Sequence, residues 1–562
     1  MDKNRIVFGI TVVLGSLGLQ AGEAGAGPTF EVGPERWVYC SKGVANGADA
    51  AFVSNVIDRA AMGGANGLLY AGGLDSYCRW GSARKANFQA IRRHAESKGM
   101  EIVPLVWSPG YGSLNGLRED LVETVELRDV PHVARGGRIV FEATERLEYL
   151  NAGFEDFDEK RKVFPYWTTE TPGVCSFRDT EVKHSGRQSV RLEPNRDGKH
   201  QARVMQHMRV KPFHRYRFSM WIRYKDIPKV FGALRIEVYS DKPAPCGFTG
   251  VLVPLQGGGS SDWRQVSCDI TADETGGLNV YMGTWKLKSG TFWLDDIAIE
   301  EIGYREIGGR AAPFAVRDAE TGVAYVEGRD YIAPRPEREG LNIRVKKGEK
   351  DISFVRPEGS AIPEGRKLLV DAFVPSRNGG KQQRSTCMSD PLVFAAMAES
   401  AAGIREACNP RKWFLSTDEV RNFNSCAHCL AQKTDAAHLI GGYITKAMET
   451  IRAVRPDAEV YGWADMFIPT QNGKGEWTDA WKHVPKDFIM CDWSERASNE
   501  SVGFLSSHGF AVIGSMCKDG AHSLKSGEAW MDRLRTIPNA KGLIFTTWVN
   551  DYECLEDFGK LR

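Results

Sequence analysis

The sequence predicts an α/β chain: a (β/α)8 barrel interrupted by a β-sandwich. Three observations predict it. Short apolar runs alternate with amphipathic helical patterns near both ends of the 562 residues, from Trp37 to Trp107 and again after Lys367. Between about Leu117 and Gly365 that alternation stops, and short runs bounded by Gly, Pro, Asp and Asn replace it. Then, late in the chain, an apolar run leads straight into two adjacent acids, Asp418 and Glu419.

Taken in order, Arg36–Cys40 and Gly67–Leu74 read as buried strands, Ala83–Lys98 as a helix with Ala and Ile on one face, and Glu101–Trp107 as a further strand. Strand–helix–strand alternation implies parallel strands joined by right-handed crossovers. The later strands are Lys367–Val374, Lys412–Thr417, Glu459–Asp465, Phe488–Trp493, Ala511–Cys517 and Gly542–Trp548, with helical patterns at Pro391–Glu406, Asp435–Val454 and Ser526–Thr536. These are nine strands where a closed barrel takes eight, so either Lys367–Val374 or Glu101–Trp107 belongs to an extension. An open doubly wound sheet is the alternative, disfavoured because no Gly-rich phosphate loop follows the first strand. The expected division is 1–26 targeting segment, 34–116 first barrel part, 117–147 β-rich connection, 148–303 sandwich, 304–365 second connection and 366–562 second barrel part.

Lys3 and Arg5, the apolar run Ile6–Leu19 and the small residues Ala21–Gly27 have the order of an export signal cleaved at Ala26. That run is shorter than the roughly 20 residues a membrane-spanning helix needs, so a mature chain without a span, periplasmic, cell-surface or secreted, is expected. Lys+Arg 73 against Asp+Glu 72 leaves +1, which supplies no basic field for a nucleic-acid backbone. The 15 Trp suit stacking on sugar rings, although core packing accounts for most Trp in any protein. Of the 12 Cys, Cys40, Cys268 and Cys491 fall in strands as small buried thiols. Cys426-Ala-His-Cys429 has the spacing of a zinc half-site, but no second half follows it, so a disulfide or helix packing is preferred and no metal is expected there.

The segment Glu148–Ile302 has its own signature. Leu150-Asn-Ala-Gly-Phe-Glu155, Trp167, His184-Ser-Gly-Arg-Gln-Ser-Val-Arg-Leu192, Tyr216-Arg-Phe-Ser-Met-Trp-Ile222, Trp263 and Thr291-Phe-Trp-Leu-Asp-Asp-Ile297 follow one another. The succession resembles the jelly-roll carbohydrate-binding modules of families 4 and 9. The resemblance implies that Trp167, Tyr281 and Trp285 are candidates for stacking on a glycan, each weighed against a core role. It also implies a structural calcium, with Glu155 and Asp296 as ligands.

Trp413-Phe-Leu-Ser-Thr-Asp418-Glu419-Val-Arg421 is the sharpest feature. Two adjacent acids raise each other's proton affinity, and a partly dry cleft adds to this. One can then stay protonated near neutral pH and act as a general acid. Neighbours in a strand face opposite ways, so both reach a cleft only at or beyond the strand end. The competing reading is a solvated acidic turn opening the next helix.

The run from Ser389-Asp-Pro-Leu to Phe414-Leu-Ser-Thr-Asp418-Glu419 is similar to the fourth-strand region of family 20 glycoside hydrolases, the β-N-acetylhexosaminidases. Gly462-Trp463-Ala-Asp465 and Gly542 to Trp548-Val-Asn550 resemble later strands of that family, whose barrel is of the TIM type. The resemblance implies retaining, substrate-assisted hydrolysis of β-linked N-acetylhexosamine glycans. Glu419 would protonate the leaving oxygen, and Asp418 would orient the substrate's acetamide. Trp463, Trp493 and Trp548 would wall the sugar, and Asp465 and Asn550 would hold hydroxyls. Three positions depart from the family: Trp37–Lys42 lacks its sugar-gripping Arg, Ser416-Thr417 replaces Gly-Gly, and Asn550 replaces the last Glu.

Asp75, Arg421, Glu495, Asp492 and Asp551 lie near the same strand ends, with exposed loop acids the ordinary reading for the carboxylates. Two alternatives stay open. One is a glycosidase of a non-acetamido, acidic or sulfated polysaccharide with Glu495 or Asp465 as nucleophile. The other is a non-catalytic glycan-binding protein. The partner throughout is an oligosaccharide or polysaccharide, with no cofactor beyond that calcium.

Overall fold

The computed structural model describes residues 29–561 except 117–120, 145–146, 195–200, 229–233, 242–257, 285–286, 305, 309–311, 335–342, 345–350, 377–383, 494–498 and 518–523. Residues 1–26, which the sequence pattern reads as an export signal, and Glu495 lie outside the described residues.

Eight parallel strands close into a barrel: β1 Glu35–Cys40, β2 Gly67–Tyr70, β3 Glu101–Val106, β4 Lys412–Leu415, β5 Glu459–Trp463, β6 Phe488–Asp492, β7 Val512–Cys517 and β8 Ala540–Thr546. Each pairs with its neighbour in sequence order, and β1 closes on β8 through Glu35–Gly542 to Val38–Phe545. Alternate residues decide the two faces. Trp37, Tyr39, Leu69, Val103, Phe414, Tyr461, Trp463, Ile489, Cys491, Ile513 and Ile544 meet inside the barrel as one buried cluster. The intervening residues, such as Val38, Leu68, Ile102, Trp413, Val460, Met490 and Leu543, pack outward among the helices.

Helices Gly47–Met62, Ser82–Ser97, Pro391–Cys408, Ala436–Val454, Asn499–Ser507 and Leu524–Leu534 lie between the strands. Their starts follow capping chemistry: Asn46, Asp390 and Asp435 each accept a backbone N–H of the first turn. After β5 the helix is replaced by short turns at Asp465–Phe467, Gly475–Trp477 and Ala480–His483, a departure that the sequence periodicity does not announce.

Lys367–Pro375 is the ninth strand. It does not open the second barrel part at 366 but pairs antiparallel with Thr124–Arg135 in a five-stranded sheet, ordered Ala315–Asp318, Lys367–Pro375, Thr124–Arg135, Arg138–Phe141, Phe354–Val355. The two β-rich connections thus build one sheet with its own core around Val130, Ile139, Tyr304, Phe354 and Val370. Its alternating pattern Leu368, Val370, Ala372 buries one face, as in a half-buried antiparallel strand rather than a barrel strand buried on both.

Nested inside that sheet are two more antiparallel sheets, of five and four strands, that share one core including Phe218, Ile222, Leu294, Val204, Val238 and Val280. The β2 to β6 and β8 runs end a little earlier than the sequence pattern suggests, because the chain turns into the rim loops before the apolar residues stop.

Closure of the barrel demands glycine at one point. Gly542 sits at φ +148, and a Cβ there would lie 2.1 Å from the Glu35 carbonyl oxygen on the strand that completes the ring. Gly542→Ala is expected to cost about 2–4 kcal/mol of stability, measured by denaturant unfolding; a loss under about 0.5 kcal/mol would show that β1 and β8 separate readily there.

Candidate active site

Because the strands are parallel, the loops that follow them gather at one end. β4 ends at Leu415, and the chain bends out of the ladder over the next four residues. Ser416 still donates its N–H to the Val106 carbonyl at 3.0 Å, prolonging the β3 pairing. The fully buried Thr417 donates its hydroxyl to the Trp463 carbonyl at 2.7 Å, fixing the end of β4 to the end of β5. Asp418 and Glu419 therefore lie beyond the strand, which meets the condition for both to reach one cleft. Glu419 takes the left-handed conformation, φ 48, an uncommon and costly choice for a non-Gly residue. Gly110 makes this bend possible: a Cβ on it would stand 2.4 Å from the Asp418 carbonyl oxygen.

Asp465, two residues past β5, is buried and joins the pair. Its Oδ2 accepts the Glu419 N–H at 3.1 Å and the Asn472 side-chain amide at 2.7 Å, while Oδ1 accepts the Trp493 indole N–H at 3.2 Å. Glu419 is held on its two oxygens separately: Arg421 donates to Oε1 at 2.8 Å, and the Tyr111 hydroxyl donates to Oε2. Asp418 Oδ1 accepts the Ser416 hydroxyl at 2.9 Å.

Three acids this close cannot all ionise cheaply. Burial, then the charges of Asp465 and Glu419, push the Asp418 carboxyl up to about 8. Burial also raises Asp465, against the hydrogen bonds from Asn472 and the Glu419 backbone that favour its charge. Asp418 therefore keeps its proton near neutral pH. Tyr39 and Tyr111 face the same charges: burial, then Asp418 for the first and Glu419 for the second, pushes both phenols up.

The aromatic residues divide into floor and edge. Trp463 is buried in the barrel mouth against Phe414, ring centroids 4.6 Å apart. Trp548 is 45% exposed and stands edge-on to Tyr39 at 5.0 Å and to Trp463 at 6.1 Å. Half-buried Trp493 reaches the site through its bond to Asp465. Asn550 lies on the exposed loop beyond, at φ 60, with its Oδ1 accepting the Tyr552 hydroxyl at 3.4 Å.

Asp75 and Asp492 are not the exposed loop acids expected of them: both are buried. Asp75 Oδ1 accepts the Trp107 N–H at 2.8 Å and the Ser113 hydroxyl at 3.0 Å, so it shapes the loop that carries Gly110 and Tyr111. Asp492 accepts from Gln471 at 3.0 Å and from the Ser501 hydroxyl. Tyr39, Tyr111 and Asn472 were not singled out in the sequence. Tyr111, between Gly110 and Gly112 just after β3, had the one signal available, an aromatic residue on a glycine-flanked rim loop.

In the two-sheet module, Trp167 is core: 5% exposed, stacked on Tyr149 at 5.6 Å, its indole N–H donated to the Asn151 carbonyl. Tyr281 is half-buried, edge-on to Tyr239, and Trp285 lies outside the described residues. Glu155 accepts from the Arg187 backbone and guanidinium, and Asp296 from Ser185 and the His184 ring. Protein donors thus sit on the oxygens assigned to calcium.

No family model matches the chain, and no curated protein matches it. Among solved structures, it is similar to a family 61 carbohydrate-binding module in complex with β-1,4-galactotriose (16% identity, 28% of this chain and 99% of that one, TM-score 0.21). It is also similar to a family 22 xylan-binding domain from Paenibacillus barcinonensis Xyn10C (14%, 27% and 93%, TM-score 0.20). A family 4 carbohydrate-binding module structure stands at 13% identity, 27% and 99% coverage and TM-score 0.20.

The raised Asp418 carboxyl has a consequence for stability. From about pH 4, where it would ionise in the unfolded chain, to about pH 8, where it ionises in the folded one, only the folded state keeps its proton. Its stabilising contribution is complete below that window and lost as pH rises through about 8. Asp418→Asn, neutral throughout, is expected to gain on the wild type by about 1–3 kcal/mol across the window, read from denaturation midpoints at both ends. A difference independent of pH would mean that Asp418 titrates normally.

Proposed function

We propose that the chain is an exported glycoside hydrolase whose chemistry is carried by Asp418, Glu419 and Asp465 on the rim of a (β/α)8 barrel of the TIM type. The observation that carries this reading is the meeting of three carboxyl groups, one of them holding a proton near neutral pH, beside Tyr39, Trp463, Trp493 and Trp548. Glycosidic cleavage needs one proton donor for the leaving oxygen and one anion for the developing oxocarbenium ion. Flat aromatic faces beside the acids suit the C–H face of a sugar ring.

In the leading form the substrate is a β-linked N-acetylhexosamine. Its acetamide oxygen attacks the anomeric carbon, Asp418 orients the acetamide, and Glu419 protonates the departing oxygen and then activates water. Tyr111 and Arg421 hold the Glu419 carboxylate in place, and Asn550 and exposed Trp548 lie at the outer edge for hydroxyl and stacking contacts.

A second form is favoured by one specific feature: the raised proton affinity lies on Asp418 and Asp465, whereas Glu419 is ion-paired to Arg421. Asp418 would then be the acid and Asp465 the nucleophile, on a sugar without nitrogen. The inserted module, read as a jelly-roll carbohydrate-binding domain, would hold the polymer near the rim.

Hydrolysis of paired aryl β-glycosides, with and without a 2-acetamido group, tests both. Turnover of acetamido sugars alone, reduced about 10³-fold or more by Glu419→Gln, is expected. Turnover of plain sugars, abolished by Asp465→Asn, would shift the chemistry to the second form. Absence of turnover on either pair and on glycan polymers would contradict hydrolysis. In the second form kcat/KM is expected to fall as pH rises through about 8, where Asp418 loses the proton it gives to the leaving oxygen.

A further inference from the structure

Behind the rim loop, four chemically matched side chains converge from three stretches of chain. Glu123 leaves the barrel just before the strand Thr124–Arg135, Cys387 returns to it just before the helix Pro391–Cys408, and Cys426 and Cys429 open the short helix Ala427–Ala431. All four are buried, and their ligand atoms lie within 4.8 Å of one another. Cys426 Sγ is 3.4 Å and Cys429 Sγ 3.6 Å from Cys387 Sγ, and Glu123 Oε2 is 3.6 Å from Cys429 Sγ.

Those spacings match a metal tetrahedron. Zinc–sulfur bonds of about 2.3 Å put two sulfurs about 3.8 Å apart, and a zinc-bound carboxylate oxygen about 3.5 Å from each sulfur. The surroundings suit ionised sulfur. The Ser389 hydroxyl donates to Cys429 Sγ at 3.2 Å, and the Cys429 N–H donates to Cys426 Sγ at 3.4 Å in the first turn of the short helix. Glu123 is oriented by its other oxygen: Oε1 accepts the Ser425 N–H at 2.6 Å, the Ser425 hydroxyl at 3.2 Å and the Cys426 N–H at 2.9 Å. Oε2 is left turned to the sulfurs. Burying a carboxylate among three thiols is costly unless a cation joins them.

We propose that Glu123, Cys387, Cys426 and Cys429 bind one Zn2+ ion as a closed, structural centre. The metal ties the exit and return of the insertion to the loop that follows Asp418 and Glu419. Thiolate-rich, four-coordinate donor sets select zinc over the harder divalent ions. On binding, the three thiols release their protons to solvent and the Glu123 oxygen supplies the fourth ligand, leaving a centre of net charge −2 that the Ser389 hydroxyl and the Ser425 and Cys426 N–H groups face as donors. The second half of the site is supplied by the fold, which is why the Cys426–Cys429 spacing alone looks incomplete. The inference stands independently of the sugar chemistry.

The test uses the full chain, purified without chelator. Elemental analysis is expected to give about one zinc per chain, and growth with Co2+ to give the intense visible bands of tetrahedral cobalt–thiolate. Cys429→Ser should lower retained zinc about tenfold or more, and Glu123→Gln should speed zinc loss to a chelator while the circular dichroism is kept. Should Cys429→Ser not fold, the metal content and cobalt spectrum of the wild type decide alone. Wild-type protein without stoichiometric metal, its thiols alkylated as free cysteines or two of the three joined in a disulfide by peptide mapping, would overturn the proposal.

Discussion

The crowding of Asp418, Glu419 and Asp465 at the mouth of a closed barrel is the constraint on which the rest of the rim depends. Like charges in a half-dry site repel, so the surrounding chain must hold them against that repulsion. It does so by covalent adjacency for the first two and by the Glu419 N–H donated to Asp465 for the third. Thr417 bonded to the Trp463 carbonyl prevents the two strand ends from parting, and Gly110 lets the neighbouring loop press on the Asp418 backbone. The left-handed Glu419 is the visible cost of this arrangement.

The same constraint accounts for much of the burial nearby. Arg421 pairs its charge with Glu419 and Tyr111 orients that carboxylate, Asn472 and Trp493 hydrogen-bond Asp465, and Asp75 shapes the loop that brings Tyr111 into reach. Below them, Trp463 and Phe414 fill the barrel interior, so the acids rest on a packed floor rather than over a pore. The insertion departs and returns beside this rim through Leu121–Glu123 and Ser385–Cys387, which pair with each other by backbone hydrogen bonds. A large β insertion is thus tolerated because its two ends are already together in the barrel.

What was legible in the sequence follows from periodicity. All eight barrel strands and the helices Ser82–Ser97, Pro391–Cys408, Ala436–Val454 and Leu524–Leu534 appear as apolar runs and amphipathic faces. Lys367–Pro375 was equally apolar, and only its pairing with Thr124–Arg135 assigns it to the inserted sheet. Pairing partners far apart in sequence leave no local trace. For the site, the Asp418–Glu419 pair stood out because it follows an apolar strand, and Asp465 through the likeness of Gly462–Asp465 to a strand of the family 20 glycoside hydrolases. Tyr39 was hidden as an ordinary strand aromatic, and Tyr111 and Asn472 as loop residues. Glu123 and Cys387 were invisible for a stronger reason: ligands that meet only through a nested insertion have no common spacing.

In the folded chain Asp418 keeps its proton near neutral pH, because burial and the charges of Asp465 and Glu419 oppose its loss. The most direct measurement of this is the carboxyl 13C chemical shift of labelled aspartate against pH, with the two resonances assigned by their loss in Asp418→Asn and Asp465→Asn. Both steps are expected above the ordinary aspartate range, that of Asp418 the higher, near 8. Two independent steps near the unperturbed value of about 3.9 would contradict it, because the acids would then be separately hydrated and the rim would hold no proton to give.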